Sequence, residues 1–198
     1  MQDNQHAPPA PQGRPRGYFA IGVERISKQL NLGNMVRSAH AFGASFVFTV
    51  GAHYKATEAR ADTSKALQHM PLYHWDTPGD MALPRACRLV GVELAEGALD
   101  LPSFRHPLQA AYILGPERGE LSPEILGMCD HVVKIPTAFC INVAMAGAIV
   151  MYDRACTLGR FSPRPVGNGG AAQKARQAHG APKSRQTTRR QGRKSRPI

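Results

Sequence analysis

Three short polar segments interrupt an otherwise alternating apolar pattern in this chain. They are Asn31-Leu-Gly-Asn-Met-Val-Arg37, Leu114-Gly-Pro-Glu-Arg-Gly119 and Ile135-Pro-Thr-Ala-Phe-Cys-Ile-Asn142. Each follows a short β-prone run and borders a stretch with helical spacing, so each reads as a strand-to-helix junction. Strand and helix patterns in alternation specify an α/β fold, a mostly parallel sheet flanked by helices. In such folds ligands bind outside the carboxyl ends of the strands, so three polar, glycine-bearing junctions predict one composite pocket.

The pattern supports strands at 18–23, 45–50, 88–94, 110–114 and 131–135, and a further strand near 73–75. Met35, Val36, Ala39 and Phe42 recur at helical spacing, with Gly43 as a stop. Ser122 followed by Pro123 and Glu124 reads as a helix start. The last helix is expected over 141–158, ended by Gly159, with Met145 and Met151 in the core. Asn142 at its start can cap it. Residues 51–87 predict short elements and loops, with Trp75 as packing. Tyr18 and Phe19 read as strand core.

Charge divides the chain sharply. Residues 161–198 hold ten Lys or Arg and no acid, whereas residues 1–160 hold the other fifteen basic residues and all 14 acidic ones. The expected organisation is a disordered, proline-rich lead-in over 1–16, one folded domain over 17–160 and a disordered basic tail over 161–198. A solvated cationic tail favours phosphate polymers by releasing their counterions, which points to RNA or DNA as partner. Arg185, Arg189 and Arg190 are its candidate RNA-binding residues.

Cys87, Cys129, Cys140 and Cys156 form no C-x-x-C pair and no disulfide framework, and the histidines show no ligand spacing, so no metal is expected. His40 lies three residues after Arg37 and reads as an exposed histidine. The start of the chain lacks the apolar core of a secretory signal. The longest apolar run, 143–152, is half the length of a membrane span. A cytoplasmic protein without a membrane partner is the expectation. Neither G-x-G-x-x-G after the first strand nor G-x-x-x-x-G-K-[ST] occurs, which excludes ordinary dinucleotide and triphosphate loops.

The three segments, in order and spacing, resemble the SpoU family of SPOUT RNA methyltransferases over roughly residues 17–160. Asn31-x-Gly33-x-x-x-Arg37 with Phe42-Gly43 looks like its first motif, and Gly115-Pro116-Glu117-Arg118-Gly119 like its second. Ile135-Pro136, Asn142-Val143 and the Ala148-Ile149-x-x-Tyr152 helix look like its third. The resemblance implies a C-terminal trefoil knot, an exception to the rule that chains stay unknotted. It also implies S-adenosylmethionine as cofactor, a homodimer, and ribose 2′-O-methylation of tRNA or rRNA. Arg37, Glu117 and Asn31 would be the catalytic residues, Arg37 also gripping RNA. Leu94, Gly115, Gly119, Ile135, Cys140, Asn142 and Val143 would hold the cofactor.

Glu117 at a tight turn can hold loop amides or orient Arg37. The third motif departs from the family: Thr137 replaces the usual methionine, the loop shortens to Ala138-Phe139, and Cys140-Ile141-Asn142-Val143-Ala144 lacks both usual serines. Two other readings stand beside the first: a non-catalytic RNA-binding protein on the same scaffold, and a methyltransferase acting on a base nitrogen. Retention of Asn31, Arg37 and Glu117 together favours ribose chemistry over the bare scaffold, and the Asn31-x-Gly33-x-x-x-Arg37 motif separates it from base methylation, whose relatives usually lack it.

Overall fold

The computed structural model describes residues 17–53 and 66–159. The calls on the lead-in, the tail and its arginines lie outside them. Seven strands form one sheet: β1 (Tyr18–Glu24), β2 (Phe46–Val50), β3 (Leu72–Trp75), β4 (Arg88–Val92), β5 (Leu99–Asp100), β6 (Gln109–Leu114) and β7 (His131–Lys134). The described residues also form three α-helices, α1 (Gln29–Phe42), α2 (Pro123–Met128) and α3 (Val143–Leu158), and three short 3-10 turns. All pairings are parallel, in the order β3-β2-β1-β6-β4-β7-β5.

The central strands are apolar on both faces because both faces are covered. Phe19, Ile21 and Val23 of β1, with Tyr112 and Leu114 of β6, join Met35, Val36 and Ala39 of α1 and Val150 and Met151 of α3 in one core. The alternate residues Ala20, Ala111 and Ile113 join Phe46 and Phe48 against Ile125 of α2 in the second. Ser122 caps α2 through Oγ, which accepts the Ile125 N–H at 3.2 Å. Gly43 ends α1 with φ 75°.

Two expectations are corrected. The segment from Asn31 to Arg37 is not a junction: it lies wholly inside α1, which begins at Gln29, and the true junction is residues 25–28. Met145 is 62% exposed rather than core, because only Val143, Ala144, Ala146, Gly147, Val150, Met151 and Arg154 of α3 face inward.

Arg154 is the residue the apolar pattern conceals. It stands on the buried face of α3 at 1% exposure and donates to the carbonyls of Tyr18, Pro107 and Leu108 and to the Tyr112 hydroxyl. Next to it, buried His106 shares hydrogen bonds with Tyr112 Oη at 2.6 Å and Asp153 Oδ2 at 2.9 Å. Burial pushes the His106 pKa below its ordinary 6.5; the Asp153 carboxylate opposes that shift and Arg154 reinforces it. A depressed histidine means the unfolded chain binds the proton more readily, so stability declines as pH falls below about 6.5. Urea melts from pH 7 to pH 5 should show this decline, and His106→Gln should flatten it.

Candidate functional site

The carboxyl ends of β6, β4 and β7 are neighbours, and a cavity of about 390 Å³ opens above them. Its walls come from residues after β1, β4, β6 and β7 and from the first turn of α3. Asn31, Leu94, Gly115, Glu117, Gly119, Ile135, Cys140, Asn142 and Val143 all line it. Arg37 does not.

Glu117 organises the site. Its Oε2 accepts the backbone N–H and the hydroxyl of Ser27, and its Oε1 accepts the Lys28 N–H and Asn31 Nδ2, all at 3.0 Å. Lys28, the residue before α1, is extended and offers no side-chain cap. A carboxylate from 89 residues away thus takes the capping place at the positive end of the helix. Burial opposes ionisation of Glu117, but the Ser27 N–H and the Asn31 amide outweigh it and hold the carboxyl below its ordinary value. The alternative role for Glu117, orienting Arg37, is not what the structure contains.

The network continues into the third segment. Asn31 Oδ1 accepts Asn142 Nδ2 at 3.0 Å, and Asn142 Oδ1 caps α3 by accepting the N–H groups of Ala144 and Met145 at 2.9 and 3.3 Å. One chain of hydrogen bonds, Glu117–Asn31–Asn142, therefore ties all three segments around one cavity.

Two acids that the sequence reading passed over hold the second segment in place. Buried Glu24, at the end of β1, accepts the Ser122 N–H at 2.8 Å. Glu93, following β4, accepts the N–H groups of Leu94 and Leu121 at 2.8 and 2.9 Å. Their only signal in the sequence is an acid at the end of an apolar strand. Gly119 has φ 107°, open to glycine and hard for other residues. A Cβ on Gly115 would press on the Leu121 backbone N at 3.2 Å, so the loop folds tightly upon itself. In the third segment, Thr137 Oγ1 donates to the Phe139 carbonyl at 2.8 Å and closes the shortened loop.

The lining contains two carboxylates and one cation. Every carboxylate oxygen already accepts protein hydrogen bonds. Exposed Lys28 makes no ion pair among the described residues. Arg37 is exposed on α1. Six residues at 3.6 per turn set it about 120° around the helix from Asn31, which lines the cavity where Arg37 does not. His40 is also exposed, and its ring stacks on His69 at 5.4 Å. Among the described residues no group of three His, Cys, Asp or Glu could hold a metal, and no helix is long and apolar enough to cross a membrane.

Solved structures share this fold. The SpoU methyltransferase AviRb from Streptomyces viridochromogenes aligns with TM-score 0.63 at 23% identity, over 72% of this chain and 60% of that one. An rRNA methyltransferase from Sinorhizobium meliloti aligns with TM-score 0.64 at 22% identity, over 73% and 58% of the two chains. Both are also known with AdoMet bound. A structure concerned with 2-OH methylation of C/U34 on tRNA aligns with TM-score 0.63 at 22% identity, over 72% of this chain and 91% of that one. This chain thus spans about 60% of the length of the first two proteins. No curated protein sequence matches it. The SpoU rRNA Methylase family matches residues 18–152, which carry all three segments and the cavity they enclose, and the chain belongs to that family.

Proposed function

We propose that this chain is a cytoplasmic, homodimeric enzyme that transfers a methyl group from S-adenosylmethionine to a ribose 2′-hydroxyl of tRNA or rRNA. The observation that carries this reading is the Glu117–Asn31–Asn142 network around the cavity. A site kept only for shape has no need of a polar network whose members face a ligand-sized space. The cavity volume suits a compact cofactor. Its lining supports the same fit: Leu94, Ile135 and Val143 offer apolar contact, while the tight loops at Gly115 and Gly119 leave backbone groups within reach. Cys140 lines the cavity where the family has serine, and its backbone amide can serve in place of the missing hydroxyl.

S-adenosylmethionine supplies, when bound, an electrophilic methyl on a sulfonium. The chain must then align the hydroxyl and stabilise the oxyanion as its proton passes to water; the new O–C bond would replace the S–C bond, whose electron pair stays on sulfur, and positioning supplies much of the rate. Asn31, locked by Glu117 and Asn142, retains one amide hydrogen for a substrate oxygen. Arg37 keeps its proton in proteins, so its role is to grip RNA phosphate and stabilise the alkoxide by charge-assisted bonds.

Arg37 does not line its own cavity, and in this reading a second copy delivers it. An apolar stripe fits that arrangement: Met145, Ile149 and Tyr152 follow one face of α3 at 62%, 37% and 55% exposure. Such a contiguous exposed patch marks an interface, and a knot in the C-terminal half of the domain would hold its edges rigid. Calorimetry tests the reading. The protein should bind S-adenosylhomocysteine at one site per chain, and failure to bind would overturn it.

The tail gives a separate expectation. Deleting residues 161–198 should weaken RNA binding and lower the dependence of log K on log salt by several units while leaving cofactor affinity unchanged. Filter binding across a salt series measures it, and an unchanged slope would remove the tail from the RNA contact.

A further inference from the structure

Strand β3, the outermost on its side among the described residues, carries an aromatic array that the cavity does not use. Tyr73 and Trp75 alternate on β3, and their rings lie parallel, 9° apart in orientation and 6.1 Å between centroids. Tyr73 also meets Phe46 edge-on at 5.4 Å, and Trp75 leans on Phe48 at 5.3 Å. The two phenylalanines are buried and anchor the pair, whereas Tyr73 is 49% exposed. Among the described residues β3 is the last strand on this side of the sheet.

The array is continuous with the cavity side of the molecule. Trp75 ends β3 at the same carboxyl end of the sheet, and its carbonyl accepts the Gly51 N–H at 2.9 Å. Directly above Gly51 lie the Arg25 side chain and the Asp76 carbonyl. Arg25, 46% exposed, in turn donates Nη2 to the Glu120 carbonyl of the second junction at 2.7 Å. Trp75 is thus linked through Gly51 to Arg25, which stands three residues before Lys28 of the cavity wall. Three strand spacings separate β3 from β6, or about 14 Å. Asp76, the nearby acid, sits 3.4 Å from His74 Nε2.

We propose that the Tyr73–Trp75 pair, with Arg25 beside it, stacks an unpaired base of the RNA strand that enters the cavity. This rests on the RNA methyltransferase reading and adds a base-binding position to it. Sequence-tolerant recognition of single strands works in this way, through flat rings for the bases and cations for the backbone. A parallel ring pair anchored from beneath and open at one end offers such a surface without reorganisation. The preference is for single-stranded RNA, since paired bases hide their faces.

Trp75 is the one tryptophan of the chain, so its fluorescence reports on this position alone. Titrating the full chain with a single-stranded oligouridylate should quench it saturably, and a duplex RNA of equal length should quench it far less. Tyr73→Leu keeps apolar contact with Phe46 but removes the stacking face. It should lower oligouridylate affinity about tenfold while S-adenosylhomocysteine affinity stays at the wild-type value. Tyr73→Phe should restore RNA binding. RNA binding with no change in Trp75 emission, or wild-type affinity in Tyr73→Leu, would overturn the proposal. Methyl transfer in the absence of any Trp75 response would sink this proposal alone; failure to bind S-adenosylhomocysteine would sink the reading beneath it.

Discussion

Glu117→Gln is expected to lower methyl transfer about 100-fold and the melting temperature by about 3 °C. The carboxylate uses both oxygens to satisfy donors of Ser27, Lys28 and Asn31. Glutamine keeps one oxygen and turns an NH₂ group toward donors, so one side of the arrangement is lost. Because the site is partly open to water, the stability cost is near the low end for an unsatisfied donor, about 1 kcal/mol, which gives a few degrees in a domain of this size. The effect on rate is larger because Asn31 and Asn142 both take their orientation from this group, and a displacement of about 1 Å can cost about 100-fold. The substitution also removes an acid dependence. A carboxyl held below its ordinary value of 4.5 contributes stability that is complete above that pH and is lost as pH falls through the lowered value. Thermal melts of Glu117→Gln between pH 5 and pH 3 should lack that component.

Arg37→Lys is expected to lose about 100-fold in rate with unchanged melting temperature and cofactor affinity, since an ammonium does not reproduce the fork of a guanidinium. The side chain is exposed, so stability has little to lose. Its position away from the cavity also makes a sharper expectation possible. Arg37→Ala and Glu117→Gln proteins, each nearly inactive, should regain about a quarter of wild-type activity when mixed and allowed to exchange subunits. In the mixed dimer one cavity pairs an intact Glu117 with an intact Arg37 from the partner. An arginine acting within its own chain would give no recovery.

The sequence made the elements of this fold readable where local chemistry decided them. Ser122 and Asn142 are caps by residue type, and Gly43 stops α1 with the conformation glycine favours. Both-face burial of β1 and β6 was readable as unbroken apolar runs. Other features depended on partners distant in sequence. No rule of spacing reveals that Glu117 caps a helix that begins 88 residues earlier, or that Glu24 and Glu93 hold the loop beside it. Arg154 was hidden because a cation inside an apolar helix reads as an interruption, while its position four residues after Val150 sets it on the core face. Met145 was misplaced for the opposite reason, since residues 143–152 of α3 carry no charge on any side, which leaves open which side meets the sheet. The Arg37 geometry was available from helical periodicity once Asn31 was known to lie inside α1 rather than before it.

The central claim concerns which atom receives the methyl group. The direct measurement is transfer of radiolabelled methyl from S-adenosylmethionine to unmodified tRNA and rRNA, followed by alkaline hydrolysis of the product. Ribose methylation blocks cleavage at the modified nucleotide, so the account predicts label in an alkali-resistant dinucleotide, lost in Arg37→Lys. Label released in a mononucleotide would mean a methylated base, and RNA that binds without acquiring label would mean a scaffold without the chemistry; either result would contradict the account.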